Sequence, residues 1–158
     1  MQIELDRTDR KILTVLSEDG SLSAAEIADR VGLSQSPCWR RINRMEKEGV
    51  IRQRAAVVDR KAVGLDTMIF AHVKLSAHGK SRLKDFASMV RSFPEVLECY
   101  VTLGDMDFLL KIVTHDIEAY EKLFFNHLSQ LPGVQEIRTS IALSEIKYTL
   151  ALPIPEAS

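Results

Sequence analysis

Between Ser34 and Lys47 the chain sets serine, glutamine, arginine, asparagine and lysine at spacings that a helix would gather onto one side. At 100° per residue, Ser36, Arg40, Asn43, Arg44 and Lys47 share one stripe, and Cys38, Ile42 and Met45 share the opposite, apolar one. These polar groups suit nucleic acid. A guanidinium forks onto guanine O6 and N7, a carboxamide pairs with adenine, and hydroxyl or ammonium groups hold phosphate. Arg40, Asn43 and Arg44 are therefore expected at base edges, with Ser34, Ser36 and Lys47 at the DNA backbone and Gln35 in the same set. Trp39 falls at the border of the two stripes, where simple packing is the expected role and contact with thymine methyls and sugar the alternative. A solvated surface helix could carry the same charges. The nucleic-acid reading gains from the company those charges keep: two capped helices, a short turn and an acidic background.

A second constellation is Thr102-Leu103-Gly104-Asp105-Met106-Asp107. Two carboxylates beside a glycine can hold an ammonium while exposed backbone N–H groups meet a carboxylate, a pairing that suits a free amino acid. Gly-Asp is equally ordinary hairpin chemistry, and alone the segment favours that plainer reading. His72, His78, His115 and His127 are scattered without ligand spacing, and Cys38 and Cys99 stand far apart, so no metal site or disulfide is expected and both thiols read as buried or inert. No phosphate loop, nucleophile elbow or carboxylate pair suggests an enzyme.

Three short helices must position the first constellation. Asp6 is a plausible N-cap for a helix burying Ile12, Leu13 and Leu16, which Glu18-Asp19-Gly20 ends. Ser23-Ala24-Ala25-Glu26 is a capping box opening a helix with Ile27, Ala28 and Val31 inward and Gly32 as its stop. Ser34 caps the third helix, Pro37 sits in its first turn, and Gly49 follows its end near Glu48. The turn Gly32-Leu33-Ser34 makes the last two a helix-turn-helix. The basic, β-prone stretch from Val50 to Val58 predicts a wing or connecting strand, and Gly64 lies in the linker.

The second half alternates strands, of about 66–76, 97–103, 107–114 and 135–149, with helices of about 79–92 and 116–130. Phe93-Pro94-Glu95-Val96 and Leu131-Pro132-Gly133-Val134 repeat between helix and strand. Two such halves predict an α+β ferredoxin-like βαββαβ sheet with both helices on one face. Tyr100, Leu110, Ile112, Ile141 and Leu143 are expected on the uncovered face, which self-association would bury.

Composition fits this division. With 158 residues, 46% hydrophobic and 27% charged, the chain is long enough for two small cores. It has no run that could span a membrane, and its acidic, amphipathic start is unlike a leader, so the cytoplasm is the expected location. The net charge of -1 excludes indiscriminate coating of nucleic acid, yet its distribution is uneven. Residues 1–33 carry four cations and seven carboxylates, net -3, whereas residues 34–54 carry six cations and two carboxylates, net +4.

The segments LDRTDRKIL, AEIADRVGLSQSPCWRRINRMEKEGVI, EVLECYVTLGDMDFLLKIVTHD and LPGVQEIRTSIALSEIK together resemble the Lrp/AsnC family of feast/famine regulators over essentially the whole chain. That resemblance implies a winged helix-turn-helix over about 1–60, with a linker strand at about 50–64, and a RAM-type effector and oligomerisation domain over 65–152, then a tail of 153–158. It also implies a transcription regulator that binds double-stranded DNA, needs no cofactor, and forms homodimers that assemble further, even to octamers. An amino-acid effector would bind between subunits. The turn Gly104-Asp105-Met106-Asp107, which Thr102 and Leu103 precede, matches the family's effector loop, with Asp107 expected at the effector's amino group and Thr139 and Ser140 approaching from a neighbouring subunit. Trp39 and Met106 depart from the family, where a smaller aliphatic and an aromatic residue are common. The alternative is an amino-acid-binding or interaction module without regulatory DNA binding.

Overall fold

Helix α1 (Arg7–Glu18) begins at Asp6 because that carboxylate accepts from Asp9 N–H at 2.8 Å while Asp9 returns a bond to Asp6 N–H at 3.2 Å. Each such cap stabilises a helix by about 1 kcal/mol. Helix α2 (Ala24–Val31) starts on the expected Ser23–Glu26 box and ends where Gly32 turns left-handed, at φ 74°. Leu33 N–H returns to Ala28 C=O, and Ser34 N-caps α3 (Gln35–Lys47). The computed structural model describes residues 3–77 and 83–155. His78 and the expected helix start at 79–82 lie outside the described residues.

The three helices close around Ile12, Leu22, Ile27, Ala28, Cys38, Ile42 and Met45, the inward stripes expected from their spacing. After α3 the chain runs without a regular strand over residues 52–58, so the wing or connecting strand expected there does not form within this chain. A strand needs a ladder, and the helical unit supplies none among the described residues.

The second unit runs β1 (Thr67–Leu75), α4 (Leu83–Val90), β2 (Val96–Val101), β3 (Phe108–Thr114), α5 (Ile117–Asn126), a 3-10 turn at Leu128–Gln130, and β4 (Val134–Ile141). The strands lie in the order β2-β3-β1-β4, all neighbours antiparallel, which is the ferredoxin-like βαββαβ arrangement. Phe86 and Val90 of α4 and Tyr120 and Leu123 of α5 join Ile69, Ala71, Phe108, Leu110 and Ile112 in one core, so both helices cover the same face. The internal repeat is structural: Val96 N–H donates to Phe93 C=O at 3.1 Å and Val134 N–H to Leu131 C=O at 3.2 Å. Each turn thus feeds a strand from a residue packed on the core.

Register corrects the expected open face. Leu110 and Ile112 are fully buried on the helix side, because Ala71 and Ile69 oppose them there. Ile141 opposes Ile69 at the strand end, and Leu143 lies beyond the strand, almost fully exposed. The open face instead carries Phe70 and His72 of β1 opposite Lys111 and Leu109 of β3, with Glu98 and Tyr100 of β2 beside them. Of the five expected residues Tyr100 lies on it. Cys38 is buried, but Cys99 is exposed on β2.

By contacts the chain divides into one unit up to Val57 together with the segment from Lys147, and a second from Val58 to Ile146. Strand β4 stops short of the 149 expected, and the segment from Lys147, including residues expected to go with the second domain, packs with the helical unit. There Arg10 donates from Nη1 to Pro155 C=O at 3.2 Å. No helix among the described residues is long and apolar enough to cross a membrane.

Candidate functional site

Helix α3 turns Cys38, Ile42 and Met45 into the core and leaves Ser34, Gln35, Ser36, Trp39, Arg40, Arg44 and Lys47 exposed. Ser34 holds the N-cap position without a side-chain capping bond among the described residues, so its hydroxyl is not spent on the helix. Trp39 is 57% exposed, which overturns its expected packing role: the indole lies on the polar side, lining an open depression with Arg40, Asn43, Arg44 and Lys47. Asn43 is half-buried, and its Nδ2 is enclosed without a hydrogen-bond partner among the described residues. An orphan donor of this kind costs about 1–3 kcal/mol.

Arg44 departs most from expectation. Its Nη2 is ion-paired with Oδ2 of Asp9, whose side chain is 1% exposed, and Arg41 reaches the other oxygen of Asp9 at 2.8 Å and Asp6 at 2.7 Å. Arg44 is thus tied to α1, so it is not simply a free base reader. Arg41 and Asp9 were missed altogether. Their signal was present, since Asp9 shares the buried stripe of α1 with Ile12, Leu13 and Leu16, and a carboxylate there demands a cation.

The backbone N–H of Asp9 and the guanidinium of Arg41 hold Asp6 below the ordinary carboxylate value of 3.8. The Ser23 hydroxyl and backbone N–H likewise lower Glu26. A carboxylate lowered on folding adds stability above its unfolded value, and that stability is lost as pH falls through the folded one. The helical unit should therefore weaken as pH drops below about 4. Urea midpoints followed by far-UV circular dichroism would check this, and Asp6→Asn, which still caps, should flatten the acid limb.

The second constellation closes β2 onto β3. Thr102 N–H donates to Asp107 C=O at 2.9 Å, and Thr102 Oγ1 donates to Met106 C=O at 2.7 Å. Gly104 takes φ 149°, a conformation that L side chains rarely adopt, and Leu103 is fully exposed. Met106 is buried, so its side chain anchors the turn. Asp107 straps β3 to β1: its N–H donates to Val73 C=O and its Oδ2 accepts from Leu75 N–H at 2.8 Å. That acceptor sits where the β1–β4 register shifts between Lys74 and Leu75.

No hydrogen bond joins Thr139 or Ser140 to this turn among the described residues. They lie on β4, at the opposite edge of the sheet from β2. Thr139 pairs its hydroxyl with that of Tyr120 at 2.6 Å on the helix side, and Ser140 opposes Phe70 on the open side. Sequence reasoning also missed the ionic group of that open face. Glu98 accepts from Lys111 Nζ at 2.9 Å and from the Tyr100 hydroxyl at 2.7 Å, and both bonds, Lys111 first, lower its pKa.

A capped helix-turn-helix with a cationic outer face, carried with a ferredoxin-like α/β unit, defines a class of two-part transcriptional regulators. The model of the Lrp/AsnC ligand binding domain matches residues 68–152, and that of a winged helix-turn-helix DNA-binding domain matches residues 5–52. Transcriptional regulator AzlB of Bacillus subtilis (strain 168) is 36% identical over 156 residues, 99% of each chain. The proline dehydrogenase transcriptional activator of Rhizobium radiobacter is 40% identical over 92% of this chain and 94% of its own. A transcriptional regulator from Neisseria meningitidis, solved as an L-Met complex, superposes with a TM-score of 0.89 at 41% identity, covering 95% of this chain and 97% of its own. The chain belongs to the Lrp/AsnC family of transcriptional regulators, with a helix-turn-helix DNA-binding domain and a family ligand-binding domain.

Trp39 is the chain's one tryptophan, which gives the exposed face of α3 its own reporter. Adding duplex DNA should change its emission by excluding water from the exposed indole. An emission unmoved at saturating DNA would place α3 away from the duplex.

Proposed function

We propose that the protein regulates transcription from the cytoplasm by binding duplex DNA through α3 and responding to an amino acid held by the second domain. One observation carries the reading: an exposed Ser36, Arg40 and Lys47 face, with the exposed Trp39 at its border, stands opposite the buried Cys38, Ile42 and Met45 on the second helix of a capped helix-turn-helix. A dimer would set two such helices in successive major grooves. Arg40 and Asn43 would read bases, Asn43 by swinging its orphan amide outward, while Ser34, Gln35, Ser36 and Lys47 hold the backbone. Arg40→Ala should then cost about 1–3 kcal/mol of binding and relax discrimination at one base pair.

The effector site would combine Thr102, Leu103, Gly104, Asp105, Met106 and Asp107 of one chain with Thr139 and Ser140 of a neighbour. Within the chain β1 stands between that turn's Asp107 and β4, which supports a site completed by a neighbour's β4. The open face, with Phe70 and Leu109 on it, favours a homodimer that assembles further. The L-Met complex of the Neisseria relative supports an amino acid as effector.

The test is binding to labelled DNA from upstream of the protein's own gene, across a salt series, with and without a pool of the proteinogenic amino acids. Selective binding that falls linearly in log K with log salt and shifts with the pool is the expected result. Binding indifferent to sequence and salt would favour an interaction module instead.

A further inference from the structure

Pro37, Arg40, Arg41 and Arg44 stand at i, i+3, i+4 and i+7, so they form one stripe of α3, turned from its outer face toward α1. With Asp6 on its rim, this stripe lines a shallow, open hollow that shares Arg40 and Arg44 with the depression beside Trp39. Asp9, buried at the back, holds Arg41 by one carboxylate oxygen and Arg44 by the other. Two arginines are thereby fixed side by side. Three guanidinium groups against the carboxylates of Asp6 and Asp9 leave one net positive charge, equal and opposite to one phosphodiester.

We propose that the hollow beside Arg41 and Arg44 is a seat for one backbone phosphate of duplex DNA, with Asp9 as the positioning residue that sets both arginines and Arg40 at the outer rim, where it adds its charge and keeps its fork for a base. Arg44 then contacts the backbone, and base discrimination falls to Arg40 and Asn43. The inference rests on the DNA-binding reading and revises the part Arg44 plays in it. A guanidinium tethered to α1 cannot reach straight out into the groove. It stands at the flank of α3 on the α1 side, and a helix seated in the major groove, which is about 12 Å wide, has the sugar-phosphate chains along its flanks. Its remaining donors suit phosphate, whose oxygens accept from any direction of approach, whereas a base edge requires one fixed fork.

The test takes the full-length protein, a duplex motif that it selects from a random pool, and a set of duplexes with each base pair of that motif substituted. Arg44→Ala should weaken binding about ten-fold on every duplex alike and lower the salt slope by about one, with the selected motif unchanged. Arg44→Lys, which keeps the charge but not the fork, should stay within about three-fold of the wild type and select the same motif. Thermal melting of both variants separates loss of contact from loss of fold, and the lysine variant stands if the alanine one does not fold. Relaxed preference at a single base pair in either variant, or unchanged affinity and slope in the alanine variant, would overturn the phosphate seat while leaving the regulator intact. A wild-type protein that selects no motif would remove the DNA-binding reading itself.

Discussion

With Arg41 and Arg44 both replaced by alanine, the helical unit should lose about 3 kcal/mol of stability, whereas either replacement alone should cost only about 1 kcal/mol. The difference lies in Asp9. Its carboxylate is buried and accepts from both arginines, so removing one leaves it a partner and removing both leaves an uncompensated charge. Stranding a buried ion costs about 3–5 kcal/mol, and the lower end applies because Asp6 N–H still donates to Asp9. Urea unfolding followed by circular dichroism, with both single variants alongside, reads the coupling directly. Additive losses of about 1 kcal/mol each would mean that Asp9 is solvated and the arginines are ordinary surface pairs.

This cluster marks what a helical wheel can and cannot show. Periodicity placed Cys38, Ile42 and Met45 inward correctly because the direction of a Cβ follows from local geometry alone. It placed Arg44 outward on the same grounds. The arginine side chain is long enough to bend back to a carboxylate 35 residues earlier, and no local rule encodes that partner. Caps were legible for the opposite reason: Ser23 and Glu26 satisfy each other within one turn, so their spacing contains the interaction. Trp39 was misjudged because its border position is settled by what packs beside it.

In the sheet, the order of elements was legible and the face of β3 was not. Phe108–Thr114 is apolar almost throughout, so period-two alternation is nearly silent, and only pairing with β1 assigns Leu110 and Ile112 to the core. Lys111 was the usable signal, since the one charged residue of that strand points its neighbours inward. The run after Ile141 keeps a strand-like composition to Leu150 yet forms none, because strand formation depends on a neighbour and composition does not supply one.

Asp107→Asn and Asp107→Ala should separate structure from effector chemistry at the β2–β3 turn. Asparagine keeps an oxygen that can accept from Leu75 N–H and removes the charge, whereas alanine removes both. Stability should accordingly stay within about 1 kcal/mol for the asparagine variant and fall by about 1–3 kcal/mol for alanine, which leaves the N–H of a buried residue without its acceptor. If the carboxylate meets an effector ammonium, both variants lose a charge-assisted hydrogen bond, and effector binding should weaken by about ten- to a hundred-fold. DNA binding without effector should persist in the asparagine variant, because the turn lies in the second unit and α3 in the first. The measurement is DNA binding titrated with L-Met and then with each other amino acid in turn, on wild type and both variants. An asparagine variant that responds at the wild-type midpoint would leave Asp107 as a strap between β3 and β1. The ammonium would then have to be met by another group, and Asp105, exposed on the same turn, is the carboxylate to change next.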